Sequence, residues 1–299
     1  MDISILNLTK YYGEFCAVDS VSFSFSSGKL TAIVGRNGSG KTTTIRSVLG
    51  LVPKDGGEII VNGNRMGLDL KHVGYLAEER GLFPKETVFS QLMFFARLKG
   101  MTVKNAGRAL DYWLERLEIP QYKKNTLESL SKGNQQKVQI IASLIHDPEV
   151  IIFDEPFSGL DPVNMQMVIK LLGELRAEGK CILVSSHQLP LIEQVCEDIC
   201  IIDHAKSIYW GSLDNLKSRY GENYVRFSVT GGALPDNFDA ENVAPNRYKV
   251  KIGTAVNPDF QTFLRKAVDA GISFETLEQS QKTLQEIFLE LAGEEQTDA

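Results

Sequence analysis

The chain of 299 residues has room for two domains of ordinary size. Hydrophobic residues make up 43% and charged residues 23%, a globular balance that excludes wholesale disorder, and a net charge of −6 gives no whole-chain electrostatic footprint for nucleic acid. No apolar stretch approaches the ~20 residues of a membrane-spanning helix. Residues 1–10 lack the basic-then-apolar order of a signal peptide, so none is expected. Cys16, Cys181, Cys196 and Cys200 contain no Cys-x-x-Cys pair and read as reduced packing residues of a cytosolic protein.

In chain order, residues 3–8 and 21–25 alternate apolar and polar side chains and are predicted strands, with a turn at 26–28. Residues 30–34 form a β-branched apolar run that enters the glycine-rich 35–40. A helix is predicted from Lys41, with Ile45, Val48 and Leu49 on one face. A turn at 53–57 leads to a strand at 58–61. From about 87 to 125 the period becomes helical, through Leu92, Phe95, Leu98, Leu110, Trp113, Leu114 and Leu117, and Pro120 closes that block. Strand and helix then alternate over 150–153, 163–178, 180–185, 189–197 and 199–203. That rhythm predicts an α/β fold with a mostly parallel sheet covered on both faces. Near 219–222 the pattern restarts: strands at 224–229, 248–252 and 272–277, helices at 258–270 and 283–291, and a polar, frayed tail at 294–299. The expected division is a first domain at 1–220, with a helical subdomain at about 87–137, and a small α+β domain at 221–299.

Gly35-Arg36-Asn37-Gly38-Ser39-Gly40-Lys41-Thr42 fits G-x-x-x-x-G-K-[ST]. Glycines let backbone N–H groups turn inward around phosphate oxygens, and the following helix N-terminus adds partial positive charge. The expected contacts are Gly35, Asn37, Gly38, Ser39, Gly40, Lys41, Thr42 and Thr43, with Lys41 on the β- and γ-phosphates and the Thr42 hydroxyl on Mg²⁺. The strand-loop-helix context is what this mechanism requires.

Val150-Ile151-Ile152-Phe153-Asp154-Glu155 is an apolar strand ending in two carboxylates. A strand that delivers Asp at its C-terminal edge is how phosphate-loop NTPases hold Mg²⁺. Glu155, one residue on, is placed to polarise a water at the γ-phosphorus.

Leu130-Ser131-Lys132-Gly133-Asn134-Gln135-Gln136-Lys137-Val138 resembles the Leu-Ser-Gly-Gly-Gln signature of ABC (ATP-binding cassette) proteins. The order of phosphate loop, helical insertion, signature, acidic strand, Ser158-Gly159-Leu160-Asp161 and His187 is that of ABC ATPase subunits over residues 1 to about 220. The resemblance implies a phosphate-loop cassette with a parallel core, an antiparallel β subdomain and a helical subdomain. It implies Mg²⁺-dependent ATP hydrolysis, with Thr42 and Asp154 on the metal and Glu155 as base. His187 senses the γ-phosphate, Ser131 and Gly133 begin a helix aimed at phosphate, and Asp161 acts across the dimer. Tyr12, just before Gly13, matches the aromatic that stacks on adenine, with Tyr11 as its rival.

Two departures stand out. Glu78 occupies the place where the family carries Gln; a carboxylate can bind Mg²⁺ and accept from water but does not donate as an amide does. Lys132 and Asn134 replace Gly and Gln in the signature, and Lys132 is expected to add charge beside the triphosphate. The implied partners are a second cassette, identical or not, and an integral-membrane permease on a separate chain, with the ATPase peripheral on the inner face of the cell membrane and no nucleic acid involved. The loop at 81–85, the variant signature and the C-terminal extension resemble bacterial exporter ATPases of the sodium-efflux and antibiotic-export type. Residues 80–84 and the helical block are the expected docking face. The alternatives are a non-transport ABC ATPase and a nucleotide-sensing regulatory subunit.

Overall fold

The computed structural model describes residues 1–65, 67–79, 81–230, 234 and 236–294. Arg80, expected in the docking face, and the tail at 295–299 lie outside the described residues.

The chain opens with a long hairpin, β1 (Asp2–Tyr12) and β2 (Phe15–Ser26), followed by β3 (Leu30–Val34), α1 (Lys41–Val48), β4 (Gly56–Val61) and β5 (Val73–Leu76). The helical block resolves into α2 (Val88–Leu98), α3 (Val103–Arg116) and α4 (Lys132–Leu144). Then come β6 (Val150–Asp154), α5 (Pro162–Ala177), β7 (Cys181–Ser186), α6 (Leu189–Ile192), β8 (Asp198–Asp203) and β9 (Lys206–Ser212). Six strands form one sheet in the order β5-β6-β7-β3-β8-β9, parallel except where β9 pairs antiparallel with β8. Every residue of β3, β6 and β7 is buried, as expected of central parallel strands covered on both faces. A three-stranded antiparallel sheet, β2-β1-β4, lays Ile3, Ile5, Val21, Phe23 and Phe25 against Ile33, Ile152, Leu183 and α1 residues Ile45 and Val48, and this is the main core.

Helix starts are locally determined. Thr87, Thr102, Ser131 and Asp161 each accept the N–H three residues on, and Pro162 occupies the first turn of α5. The helix predicted over 189–197 is a correction: it ends at Ile192. Glu197 is pinned to β3 instead, its N–H donating to the Leu30 carbonyl and its carboxylate accepting the Leu30 N–H at 2.8 Å. The chain must therefore turn early to deliver Asp198 to β8. Cys181, Cys196 and Cys200 are buried free thiols, pushed up to about 12 by burial.

The chain divides into a unit at Met1–Leu213 and a second from Asp214, so α7 (Leu213–Tyr220) lies with the second unit. That unit continues with β10 (Asn223–Val229), β11 (Ala240–Ala244), β12 (Arg247–Lys251), α8 (Phe260–Asp269), β13 (Phe274–Gln281) and α9 (Leu284–Glu294). Its antiparallel sheet has the order β11-β12-β10-β13, and Val225, Phe227, Val250 and Phe263 form its core.

Candidate functional site

The C-terminal ends of β3, β6 and β7 are neighbours in the sheet, and the loops that leave them carry the candidate residues. This is where open α/β sheets bind ligands. The loop after β3 is wedged in place. A Cβ on Gly35 would overlap the Ile202 carbonyl oxygen, and one on Gly40 the Ala17 carbonyl oxygen. Gly40 also sits at φ +107, which side chains rarely adopt. α1 begins at Lys41, which is 6% exposed and whose ammonium donates to the carbonyls of Gly35 (3.0 Å) and Arg36 (3.1 Å). Ser39, within the loop, is buried.

Asp154 ends β6 opposite Ser185 of β7 in parallel register. Ser185 Oγ donates to Asp154 Oδ1, while Oδ2 is buried and accepts no well-directed hydrogen bond. Burial pushes the Asp154 carboxyl above the ordinary carboxylate range, against the opposing pull of the Ser185 and Thr42 hydroxyls. Glu155 follows with φ 52, a left-handed conformation uncommon for a side-chain-bearing residue, and its N–H donates to Ser185 Oγ at 3.1 Å. Its carboxylate is 4% exposed. Lys41 Nζ stands 3.5 Å from Oε1 and His187 Nδ1 2.9 Å from Oε2, yet neither oxygen accepts a well-directed hydrogen bond. Glu155 is thus charge-compensated but keeps acceptor capacity, the condition a water-orienting base needs.

Gly40, Lys41 and Glu155 open on a cleft of about 480 Å³ lined also by Asn37, Gly38, Thr42, Thr43 and Glu78, and by Tyr12, Phe15 and Ala17 of the hairpin; Asp154 and His187 stand behind Glu155 and are not among its lining residues. Tyr12 lines the cleft; Tyr11, its rival, pairs with Cys16 on the opposite face of the ribbon. The loop bearing Glu78 is held by α4, for Gln139 Nε2 donates to the Ala77 carbonyl at 2.9 Å.

Ser131, Gly133 and Asp161 do not line this cleft. They form a second cluster at the starts of α4 and α5. Ser131 Oγ accepts from Asn134 N, and Asp161 accepts both the N–H and the Nδ2 of Asn164 at 2.8 Å. The Asn164 N–H holds the Asp161 carboxyl below the ordinary range. Asn164 Nδ2 also lies where a Cβ on Gly133 would meet it at 2.8 Å, so the Asn164 amide packs against the start of α4. Lys132 is exposed at the first turn of α4.

A family model described as ABC transporter matches residues 18–158. An ABC transporter ATP-binding protein of Methanocaldococcus jannaschii is 42% identical over 214 residues, covering 72% of this chain and 79% of that protein. The linearmycin resistance ATP-binding protein LnrL of Bacillus subtilis is 29% identical over 96% of this chain and 97% of its own length. A solved ATP-binding subunit of an ABC transporter superposes with a TM-score of 0.67 at 28% identity, covering 74% of this chain and 93% of that one. The chain belongs to the ABC transporter ATP-binding proteins.

As a member of that family it is an ATP-binding, ATP-hydrolysing subunit of a transporter. Among the described residues no helix is long and apolar enough to cross a membrane. The donor set fits Mg²⁺: Asp154 Oδ2 is an orphaned buried oxygen, and the Thr42 hydroxyl acts on the same carboxyl. Such an ion takes few protein oxygens and completes its shell with phosphate and water. Sequence reasoning did not single out Ser185, Phe15, Gln139 or Asn164 in this ABC subunit. Ser185 had a signal in the parallel register of two adjacent apolar strands. The other three act through tertiary contacts that no local spacing encodes.

Proposed function

We propose that this subunit works in a head-to-tail pair, identical or not, and powers a separate integral-membrane permease for export from the inner face of the cell membrane. The observation that carries this reading is the convergence of Lys41, Thr42, Asp154, Glu155 and His187 at the ends of β3, β6 and β7. Lys41 and the N–H groups of residues 36–42 hold the β- and γ-phosphates. Thr42 and Asp154, with Glu78 from the cleft wall, hold Mg²⁺, which when bound neutralises phosphate charge. Glu155 accepts a proton of the attacking water as its oxygen adds to the γ-phosphorus. The bond to the β–γ bridging oxygen breaks, and ADP leaves with that electron pair. His187, beside Glu155 Oε2, fixes the carboxylate and faces the γ-phosphate. Ser131 and Gly133 of the opposite copy close over the triphosphate, Asp161 lies along the same seam, and Tyr12 faces the base.

The second cluster supports the paired arrangement, since it places an exposed helix start on the surface rather than in the chain's own cleft. The two-unit organisation is read as a cassette followed by an accessory domain. The permease docks on Phe83, Phe94 and Leu98, which are 50%, 52% and 68% exposed and adjoin a groove of about 280 Å³ lined by Leu82, Phe95, Lys99 and His146. Full-length likeness to a protein named for antibiotic resistance supports the export direction.

Tagged chain recovered from membranes of its own cells tests this reading. A co-purifying multi-span permease and Mg²⁺-dependent ATP turnover are expected. Nucleotide binding without turnover, and no membrane protein attached, overturn it.

A further inference from the structure

Resting on that reading of Glu155 and of the head-to-tail pair, we infer that Gln136 and Asn164 are positioning residues for the reaction. Together they fasten the segment that begins with Glu155 and ends with Asp161 to the first two turns of α4. Gln136 belongs to the motif at 130–138, yet it neither lines the nucleotide cleft nor caps the helix. It is 8% exposed, and its Nε2 donates to the carbonyl of Pro156, the residue immediately after the base, at 3.3 Å. Burying an amide costs free energy unless it is hydrogen-bonded, and an apolar side chain would fill the same place without that cost. The bond to Pro156 is what the amide adds there.

Gly133 stands three residues before Gln136, so the two share a face of α4 one turn apart. The Asn164 amide packs at that turn, where a Cβ on Gly133 would meet its Nδ2 at 2.8 Å. Asn164 also donates its N–H and its Nδ2 to the two oxygens of Asp161, each at 2.8 Å. One face of α4 thus touches the segment at both ends, at Pro156 beside the base and at Asn164 beyond Asp161. The bonds within the segment are short turns, Ser158 N–H to the Glu155 carbonyl at 3.1 Å and Leu160 N–H to the Phe157 carbonyl at 3.3 Å. They set its local shape and not its placement. Glu155 needs the outside support, because it holds φ 52 although a residue that precedes proline favours extended backbone. Such a conformation persists only where its surroundings over-determine it. The same helix start carries Ser131 and Gly133, which in the pair close over the opposite copy's triphosphate. A load on α4 from that nucleotide reaches the base of its own chain through Gln136. Lys41 and the phosphate-binding N–H groups lie on other elements, so the clamp acts on turnover and leaves nucleotide binding alone.

The test compares the full chain with Gln136→Met, Gln136→Glu, Asn164→Ala and the double variant Gln136→Met/Asn164→Ala. Methionine keeps length and packing and removes the donor; an ionised glutamate keeps length and turns an acceptor toward the Pro156 carbonyl. In both Gln136 variants kcat is expected to fall about 10–100-fold, with KM for ATP within about threefold of the parent. ATP-driven pairing, read by light scattering in a Glu155→Gln background that blocks turnover, is expected to match that background alone, because Ser131 and Gly133 are untouched. Asn164→Ala is expected to lose less, and the double variant to lose less than the product of its two single losses, since both residues hold one segment. Gln136→Glu carries the test should Gln136→Met fail to fold. A kcat near that of the parent in the folded Gln136 variants overturns the proposal. So does a loss that falls on KM alone, or a loss of pairing, which places Gln136 in the seam between copies. A double variant whose loss equals the full product also overturns it, by making the two residues independent. A parent that neither pairs nor turns over ATP sinks the head-to-tail reading itself, a separate failure.

Discussion

Asp154 in the first unit and Glu286 in the second are carboxylates treated in opposite ways. Asp154 is 1% exposed, keeps one oxygen without a hydrogen bond, and is pushed up by burial. Glu286 sits at the start of α9 and accepts from Arg226 at 2.9 and 3.0 Å, from Lys249, and from the Thr283 N–H at 2.8 Å. Burial pushes it up too, but Lys249, Thr283 and Arg226 outweigh that and hold it at about 2. The difference is one of purpose. A buried charge without a partner costs stability and is tolerated where a ligand will supply the partner; a saturated one holds structure.

The largest expected effect lies at the deficient end of this comparison. Glu155→Gln keeps the shape and the contact with Lys41 but removes the proton acceptor. Turnover is expected to fall about 10²–10⁴-fold while ATP still binds. Turnover near that of the parent, measured as phosphate release with Mg²⁺ present, breaks the assignment of the base.

Asp154→Asn tests the deficit directly, because function and stability should move in opposite directions. With the folded-state pKa raised, the ionised carboxylate is destabilising at neutral pH. The neutral amide removes that penalty, so nucleotide-free protein is expected to gain about 1 kcal/mol. Mg²⁺-dependent turnover is expected to collapse. A variant that is both less stable and less active would show that Asp154 is an ordinary structural residue.

What could be read from the sequence follows the same division. β3, β6 and β7 were legible because strands buried on both faces are unbroken apolar runs, and the loops they feed carry spaced glycines and paired acids. β9 and β11 were not. They are edge strands whose residues are half-buried or exposed, so no period of two separates an inside from an outside. In the site, Lys41, Thr42, Asp154 and Glu155 stand at fixed offsets from one another's elements, whereas Phe15 and Asn164 act through partners on other segments. The α9 start was within reach: Thr283-Leu284-Gln285-Glu286 is a capping box, with Glu286 N donating to Thr283 Oγ1 at 3.2 Å while its carboxylate accepts the Thr283 N–H.

The smallest effect belongs to the saturated carboxylates and reads out through pH. Glu286 is held at about 2 against an ordinary value of 4.5, and Glu222, clasped by Lys251, Tyr224 and Lys282, is also held at about 2. A carboxylate whose folded pKa is depressed stabilises the fold above its unfolded pKa, and that contribution drains away as pH falls from about 4.5 toward 2. Glu286→Gln removes its share at neutral pH. With the side chain 30% exposed and therefore partly screened, the loss is expected to be about 1–2 kcal/mol. Amide hydrogen exchange over α9 is expected to quicken in the variant at pH 7 and to match the parent near pH 2, with ATP turnover at neutral pH unaltered. Equal protection of α9 at pH 7 in the two proteins breaks the contrast between saturated and deficient carboxylates, because the Arg226 and Lys249 pairs would then contribute nothing to holding the helix.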